Sequence, residues 1–270
     1  MFKTYEKSVR LWHFDNLLKY ENLLQFVSTR MGGYSNPPYD SLNLGFSSGD
    51  NPIQVSKNRE TLSSTLGIFP DNLVTSRQVH GDNIRIITEG MIKADLSFNR
   101  IPKETGDGMV TNLPNVCLTV IIADCAPVML YDPKNNVVGI AHAGWRGTIK
   151  RVSQRVLEAM LKEYDCNPGD IVAGIGPSIG PCCYQVGGEV VAEVKKYLGG
   201  GQGLISRETS DGKGYFDLWE ANRKQLLEMG IPERNIEVSN LCTHCHHDMF
   251  FSYRYQGPLF GRFAAGIMLK

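Results

Sequence analysis

The sequence predicts a mixed α/β protein folded as one domain over residues 1–270. Three observations predict it. Apolar runs of strand length, bounded by turn residues, recur along the chain and are densest between Val116 and Ala141. Between them lie segments with apolar residues at helical spacing, suited to covering a sheet. No repeat, low-complexity tract or linker divides the chain, and its length suffices for one large core.

Taken in order, Leu23 to Thr29 reads as a strand and Arg30 to Asp50, with its Gly and Pro pairs, as a long surface loop of the kind that often contributes to a binding site. Asp50-Asn51-Pro52 opens a helix that runs through Leu66, with Val55, Leu62 and Leu66 on one side and Arg59 off it. Leu73 to Val79 and Ile84 to Ile87 read as two strands around the turn His80 to Asn83. Lys93 to Glu104 is polar and reads as a loop. A helix is expected from Ile149 to Tyr164, a strand at Ile171 to Ile175, and a helix around Val190 to Leu198 stopped by Gly199-Gly200-Gly201. Gln202 to Gly214 reads as mobile, Leu218 to Met229 as a helix, and Ile236 to Ser239 and Gly261 to Met268 as strands.

Composition narrows the function. Lys plus Arg and Asp plus Glu balance at 28 each, so nothing points to a nucleic acid or a membrane surface as partner. No apolar run approaches the roughly 18 residues of a spanning helix, and the opening MFKTYEKSVRLW lacks a signal-peptide core. The expectation is a soluble, cytoplasmic protein, monomeric or a small homo-oligomer. The seven cysteines, an odd count without a secretory signal, argue against a disulfide framework, so each either packs or does chemistry.

The stretch from Val116 to Gly147 holds the most chemistry. It reads as a strand from Val116 to Ala123, a second from Val128 to Tyr131, a turn from Asp132 to Asn136 and a third strand from Val137 to Ala141. If the last two pair as a hairpin, position 142 faces a residue near 126, and Cys125 and His142 share one end of a sheet. A thiol and an imidazole so placed form a nucleophilic dyad, share a metal, or simply pack. Asp124 before the cysteine, and Gly144, Arg146 and Gly147 after the histidine, are poor core material. His80 alone, at a turn, reads as solvated.

Cys242-Thr243-His244-Cys245-His246 has a zinc-ligand spacing. A structural site draws a second pair from a comparable turn, however, and Cys182-Cys183 are adjacent rather than two apart. Metal binding by Cys242, Cys245 and His246 is therefore the less favoured reading.

Several motifs together resemble the laccase-domain family, often labelled polyphenol oxidase. They are Ser41-Leu42-Asn43-Leu44-Gly45, Asn58-Arg59, Ser76-Arg77-Gln78-Val79-His80-Gly81, Ala123-Asp124-Cys125-Ala126-Pro127-Val128, Ala141-His142-Ala143-Gly144-Trp145-Arg146-Gly147 and Gly176-Pro177-Ser178-Ile179-Gly180. Phe250-Phe251-Ser252-Tyr253-Arg254 and Gly261-Arg262 complete the set. The resemblance covers nearly the whole chain in order. It implies a layered α/β/β/α arrangement of mixed sheets, similar to a toxin catalytic domain with a Cys-His pair. It implies a zinc site of His80, Cys125 and His142, whose three ligands leave a position open, as catalytic zinc requires. It also implies phosphorolysis of adenosine, inosine and S-methyl-5′-thioadenosine, and deamination of adenosine.

In that scheme Asp124 is a positional candidate for proton transfer, and Arg59 and Arg146 orient phosphate with help from backbone N–H groups after Gly144. The loops of Ser41, Asn43, Gln78 and Ser178 shape the substrate pocket. Two departures stand out: Gly106-Asp107-Gly108 replaces a common Ala-Asp-Ala, and Gln185 a common Glu. Neither is expected to touch the ligands. No histidine has a Glu two residues on, so any deamination differs from that of the nucleobase deaminases with His-x-Glu. Two other enzyme classes compete: a Cys125/His142 hydrolase, for example one editing peptidoglycan precursors, and a copper-dependent phenol oxidase. Six histidines are too few for a multicopper enzyme, so oxidation would fall to a single copper. A zinc-dependent scaffold without turnover is the non-enzymatic rival.

Overall fold

The computed structural model describes residues 1–5, 9–91 and 102–270. Most of the polar segment read as a loop from Lys93 to Glu104 lies outside them. Two six-stranded sheets form the body. The first runs in the order β1 (Phe2–Thr4), β2 (Arg10–Trp12), β3 (Leu23–Ser28), β15 (Phe263–Leu269), β7 (Cys117–Ile122), β4 (Leu73–Val74). The second runs β14 (Ile236–Val238), β10 (Val172–Ile175), β8 (Ala126–Asp132), β9 (Val137–Ala143), β6 (Gly108–Thr111), β5 (Ile84–Ile86). Both are mixed: β4 and β7, β5 and β6, and β10 and β14 pair in parallel, and their other ladders are antiparallel. A small third sheet holds β11 (Gln185–Val186), β13 (Gly214–Phe216) and β12 (Ile205–Ser206).

Side-chain alternation along the strands explains the layering. On β8, Met129 and Tyr131 face the first sheet, where they meet Leu118, Val120, Phe263 and Ile267. Val128 and Leu130 face the other way, against Val156, Leu157 and Met160 of α3 (Val152–Tyr164) and Leu226 of α5 (Leu218–Glu228). Leu62 of α1 (Pro52–Leu66) packs with Phe26 and Ala264 on the outer face of the first sheet. The central strands of both sheets are thus buried on both faces and the order is helix, sheet, sheet, helix, as expected. No helix among the described residues is long and apolar enough to cross a membrane.

The expected hairpin forms: β8 and β9 pair with Pro127 opposite His142 and Ala126 opposite Ala143, one residue from the anticipated register. The expected pair around His80 does not. Its first arm is only Leu73–Val74 and belongs to the first sheet, while Ile84–Ile86 belongs to the second. The chain between them crosses from one sheet to the other instead of turning back. The helix expected from Ile149 is two helices, α2 (Trp145–Ile149) and α3, because Arg151 adopts φ 64° and breaks the backbone course. Part of the segment read as mobile is tied down through β12 and a Lys195–Glu208 ion pair. The helix around Val190 begins earlier, as α4 (Gly188–Tyr197).

The seat of α3 on the second sheet depends on two glycines on neighbouring strands. A Cβ on Gly139 would lie 2.6 Å from Val156 Cγ1 and 3.1 Å from Met160 Sδ, and one on Gly108 would lie 2.6 Å from Val156 Cγ2. The strand that carries Gly139 also carries His142, and Asp107 immediately precedes Gly108. Gly139→Ala should therefore cost about 1–3 kcal/mol, the usual range for overpacking a close-packed core, read as a lowered midpoint in urea unfolding at unchanged slope.

Candidate metal centre

Two inter-sheet crossings and one strand end meet at the same edge of the sandwich. The first crossing, from β7 to β8, carries Asp124 and Cys125. The second, from β4 to β5, carries His80. The end of β9 carries His142, whose place in the alternation matches Val138 and Ile140, on the side facing the first sheet. One donor atom from each of His80, Cys125 and His142 lies within 4.8 Å of the others, and the two rings approach edge-on with centroids 4.9 Å apart. Gly144 makes the approach possible: a Cβ there would stand 2.8 Å from Cys125 Sγ and 3.1 Å from His80 Cδ2.

Asp107 fixes the geometry. Its fully buried carboxylate accepts from the His142 ring, Nδ1 to Oδ1 at 2.8 Å, and from the backbone N–H groups of Val79 (3.0 Å), His80 (2.9 Å) and Gly81 (2.8 Å). His80 itself has φ 59°, so its loop is curled around this carboxylate. Burial pushes the Asp107 carboxyl up, but His142 first, then the N–H groups of Gly81 and Val79, outweigh it and hold the group at about 2. Asp107 belongs to the Gly-Asp-Gly triplet that was expected not to touch the ligands. It touches one directly and orients the other, and the sequence offered only an acid between two glycines as a sign.

Bonding of His142 Nδ1 to a carboxylate leaves Nε2 as the nitrogen turned to a ligand, the usual outer support of a metal-bound imidazole. Burial would raise the Cys125 thiol, yet the charges and hydrogen bonds of His142 and His80 lower it to about 6. Burial would likewise lower His142, but Cys125 and Asp107 raise it to about 9. The donors are an imidazole with an outer carboxylate, a second imidazole and a sulfur that ionises readily. That set fits a borderline-soft divalent ion with a fourth position left open.

The centre opens into a cavity of about 560 Å³. Its described wall includes five arginines, Arg59, Arg77, Arg146, Arg254 and Arg262, and a single acid, Asp124. Arg77, Arg146, Arg254 and Arg262 form no ion pair among the described residues. Aromatic faces complete the wall: Phe46 under Arg59 at 4.2 Å and Trp145 under Arg146 at 4.2 Å, with Tyr184, Tyr253 and Phe260. The sequence motifs contained Arg77, Arg254 and Arg262, but nothing in spacing marked them as neighbours.

The remaining anticipated residues divide between wall and support. Arg59 lines the cavity but is buried and donates through Nε and Nη2 to Leu44 O, so α1 presents it inward rather than off the packed side. Asp124 accepts from Thr243 Oγ1 (2.6 Å) and from the Arg254 N–H (2.7 Å), which suits a tether between the cysteine turn and residues 243–254 better than a proton carrier. Gln78 lines the cavity, yet its amide is spent on Ile121 N and O, both at 2.8 Å, where it extends the edge of β7.

Asn43, Ser41 and Ser178 lie outside the lining. Asn43 is buried and holds Gly45 N, Arg262 N, Ser48 and Asp50, so it supports the wall at one remove. Ser41 ties Arg30 O to Gly33 N. Ser178 accepts from Trp219 Nε1 at 2.6 Å. The helix after Gly144, whose backbone N–H groups were expected to help hold phosphate, has five residues. Cys242 and Cys245 do meet a second pair, Cys182 and Cys183, whereas His246 is not among the converging groups.

Comparison with known proteins places this architecture. Residues 24–270 match the family described as multi-copper polyphenol oxidoreductase laccase. A purine nucleoside phosphorylase of Bacteroides thetaiotaomicron is 36% identical over 263 residues, covering 97% of each chain. Adenosine deaminase RL5, from an unknown prokaryotic organism, is 36% identical over 250 residues, 93% of this chain and 95% of its own. The crystal structure of YlmD from Geobacillus stearothermophilus superposes with a TM-score of 0.90 at 34% identity, covering 100% of this chain and 98% of that one. With the matched region spanning nearly all of the chain and both sheets reproduced in a solved relative, the protein belongs to the laccase-domain family.

Proposed function

We propose that the chain is a zinc-dependent purine nucleoside enzyme. It cleaves adenosine, inosine and S-methyl-5′-thioadenosine with phosphate and deaminates adenosine with water. The observation that carries this reading is that a three-donor centre with an ionisable sulfur opens into one cavity walled by five arginines and a single acid. Phosphate is the anion such a wall suits, and the aromatic faces suit a purine. The names of the relatives, phosphorylase and deaminase, agree with both activities. The cavity volume lies within the usual range for small-molecule sites.

In phosphorolysis a phosphate oxygen forms a bond to the ribose anomeric carbon while the bond to the purine nitrogen breaks and its electron pair leaves with the base. Arg146, exposed on the wall over Trp145, and Arg59 orient the phosphate. In deamination a water oxygen adds at purine C6 and ammonia departs. A zinc ion held by His80, Cys125 and His142 supplies, when bound, Lewis acidity toward the reacting oxygen. Asp107 keeps His142 in the tautomer that presents Nε2, and Asp124 fixes the turn that presents Cys125. Nucleoside and phosphate are the partners on this reading, and the cytoplasm is the compartment.

A second reading is favoured by the Cys125 and His142 pKa values of about 6 and about 9, which describe a thiolate-imidazolium pair able to act as a cysteine hydrolase. Copper oxidation draws on the family description alone, since His13, His244, His246 and His247 do not join the three-donor centre.

Purine nucleosides incubated with phosphate, with products identified beside elemental analysis of the same preparation, test the proposal. Turnover should vanish on chelation and return with zinc. Full activity in metal-stripped protein would instead establish the thiol mechanism. Folded Cys125→Ala should lose the metal of the three-donor centre together with turnover, and normal kinetics in it would overturn the proposal.

Arg146→Ala should raise the KM for phosphate by about 10–100-fold, the scale of one charge-assisted hydrogen bond, while phosphate-free deamination of adenosine stays near wild type. Steady-state kinetics of the two reactions read the split.

Asp107→Asn should weaken metal binding by about 10–100-fold through loss of outer support. Because the metal displaces a proton from His142 and needs Cys125 as thiolate, wild-type affinity should climb with pH between about 6 and about 9. Competition with a chelator across that range measures both.

A further inference from the structure

Cys182, Cys183, Cys242 and Cys245 come together beside the cavity, away from the three-donor centre. Their four sulfur atoms all lie within 4.8 Å of one another, and Cys245 Sγ is 3.6 Å from Cys182 Sγ and 3.4 Å from Cys183 Sγ. All are free thiols, far from the roughly 2.05 Å of a disulfide. Thiolates at about 2.3 Å from a tetrahedral zinc ion stand about 3.8 Å apart along each edge, close to the observed spacings. Packing is a poor alternative, because Cys182 and Cys245 are exposed.

The backbone pre-forms the cluster. Parallel pairing of β10 with β14 sets their following turns side by side, and Ser178 N to Leu241 O (3.2 Å) and Thr243 N to Ser178 O (3.0 Å) lock them. The Gly180 N–H donates to Cys242 Sγ at 3.3 Å, a contact that favours a thiolate. A Cβ on Gly180 would meet Trp219 Cη2 at 2.6 Å, so this residue must be small. Two cations brace the same turn: Arg207 donates to the carbonyls of Pro181 and Cys182, and Arg254 to those of Cys183 and Gln185. They would offset the negative charge of a divalent ion bound by four thiolates.

We propose that Cys182, Cys183, Cys242 and Cys245 form a second, structural metal site that takes one tetrahedral, thiolate-preferring divalent cation of the zinc class. On binding, four metal–sulfur bonds replace four S–H bonds, the protons pass to water, and no electron is transferred. Four protein ligands close the coordination shell, so the ion clamps rather than reacts. The clamp joins the turn bearing Ile179 and Tyr184 of the cavity wall to residues 243–254, which hold Asp124.

The test uses the full chain carrying Cys125→Ala, in which the quartet is the one complete donor cluster left among the described residues, titrated with Co2+ alone and then Zn2+. One equivalent of cobalt should give the strong visible absorption of a tetrahedral tetrathiolate, and zinc should abolish it. Adding Cys245→Ser, or Cys182→Ser if the first fails to fold, should remove that absorption together with the rise in thermal midpoint that zinc confers. Absence of the absorption in folded Cys125→Ala protein, or its persistence unchanged in the serine variants, would overturn the site. So would disulfides among the four cysteines, or an iron–sulfur cluster, in the purified wild-type chain.

Discussion

Everything at the candidate centre hangs on one buried carboxylate receiving four hydrogen bonds. Left unpaired in that environment, Asp107 would be among the most unfavourable groups in the molecule. Surrounded by three consecutive N–H groups and an imidazole, it instead stays ionised and holds its donors in place. Gln78 and Asn83 anchor the loop bearing His80 on either side, to Ile121 and Thr105, and between them the backbone of residues 79–81 closes on this carboxylate. The same carboxylate sets the ring of His142. A loop and a strand from different parts of the fold thereby share one origin of coordinates.

The sandwich explains why this occurs at its edge. Where the chain passes from β7 to β8 it must leave the first sheet and enter the second, and a turn there cannot be covered on both sides as the strands are. Asp124 takes φ 84° at that point, and the carbonyl of Asp124 accepts from Ile179 N. Polar side chains are tolerated because they bond across the gap, as Asp124 does to Thr243 and Arg254. Inward from the turn, the apolar layer between the sheets excludes water from the back of the centre, with Cys125 packed against it. Outward lies the arginine-rich cavity.

Much of this was legible in the residues. The apolar run at Val128–Tyr131, the turn at Asp132–Asn136 and the run at Val137–Ala141 were enough to pair Cys125 with His142, because hairpin register follows from loop length. Asn51 and Pro52 marked the start of α1. Contacts made across the sheets were not legible. Spacing cannot show that Leu73–Val74 and Ile84–Ile86 lie in different sheets, nor that residues 182–183 and 242–245 meet, since parallel strand neighbours leave no local trace. The same limit hid Asp107, whose partners are 26 to 35 positions away. Ser41, Asn43 and Ser178 are instructive in the opposite sense: they sit in motifs shared with the family, yet their hydrogen bonds support loops rather than face the cavity.

The position of β15 has a consequence for biogenesis. It lies between β3 and β7, so the interior of the first sheet is filled by residues 263–269 while strands made much earlier wait on either side. Until that segment leaves the ribosome, β3 and β7 present bare edges and the apolar slab behind Cys125 has a missing plank, a state open to mispairing with other chains. Nascent chains of this protein should accordingly depend on chaperones until β15 is in place.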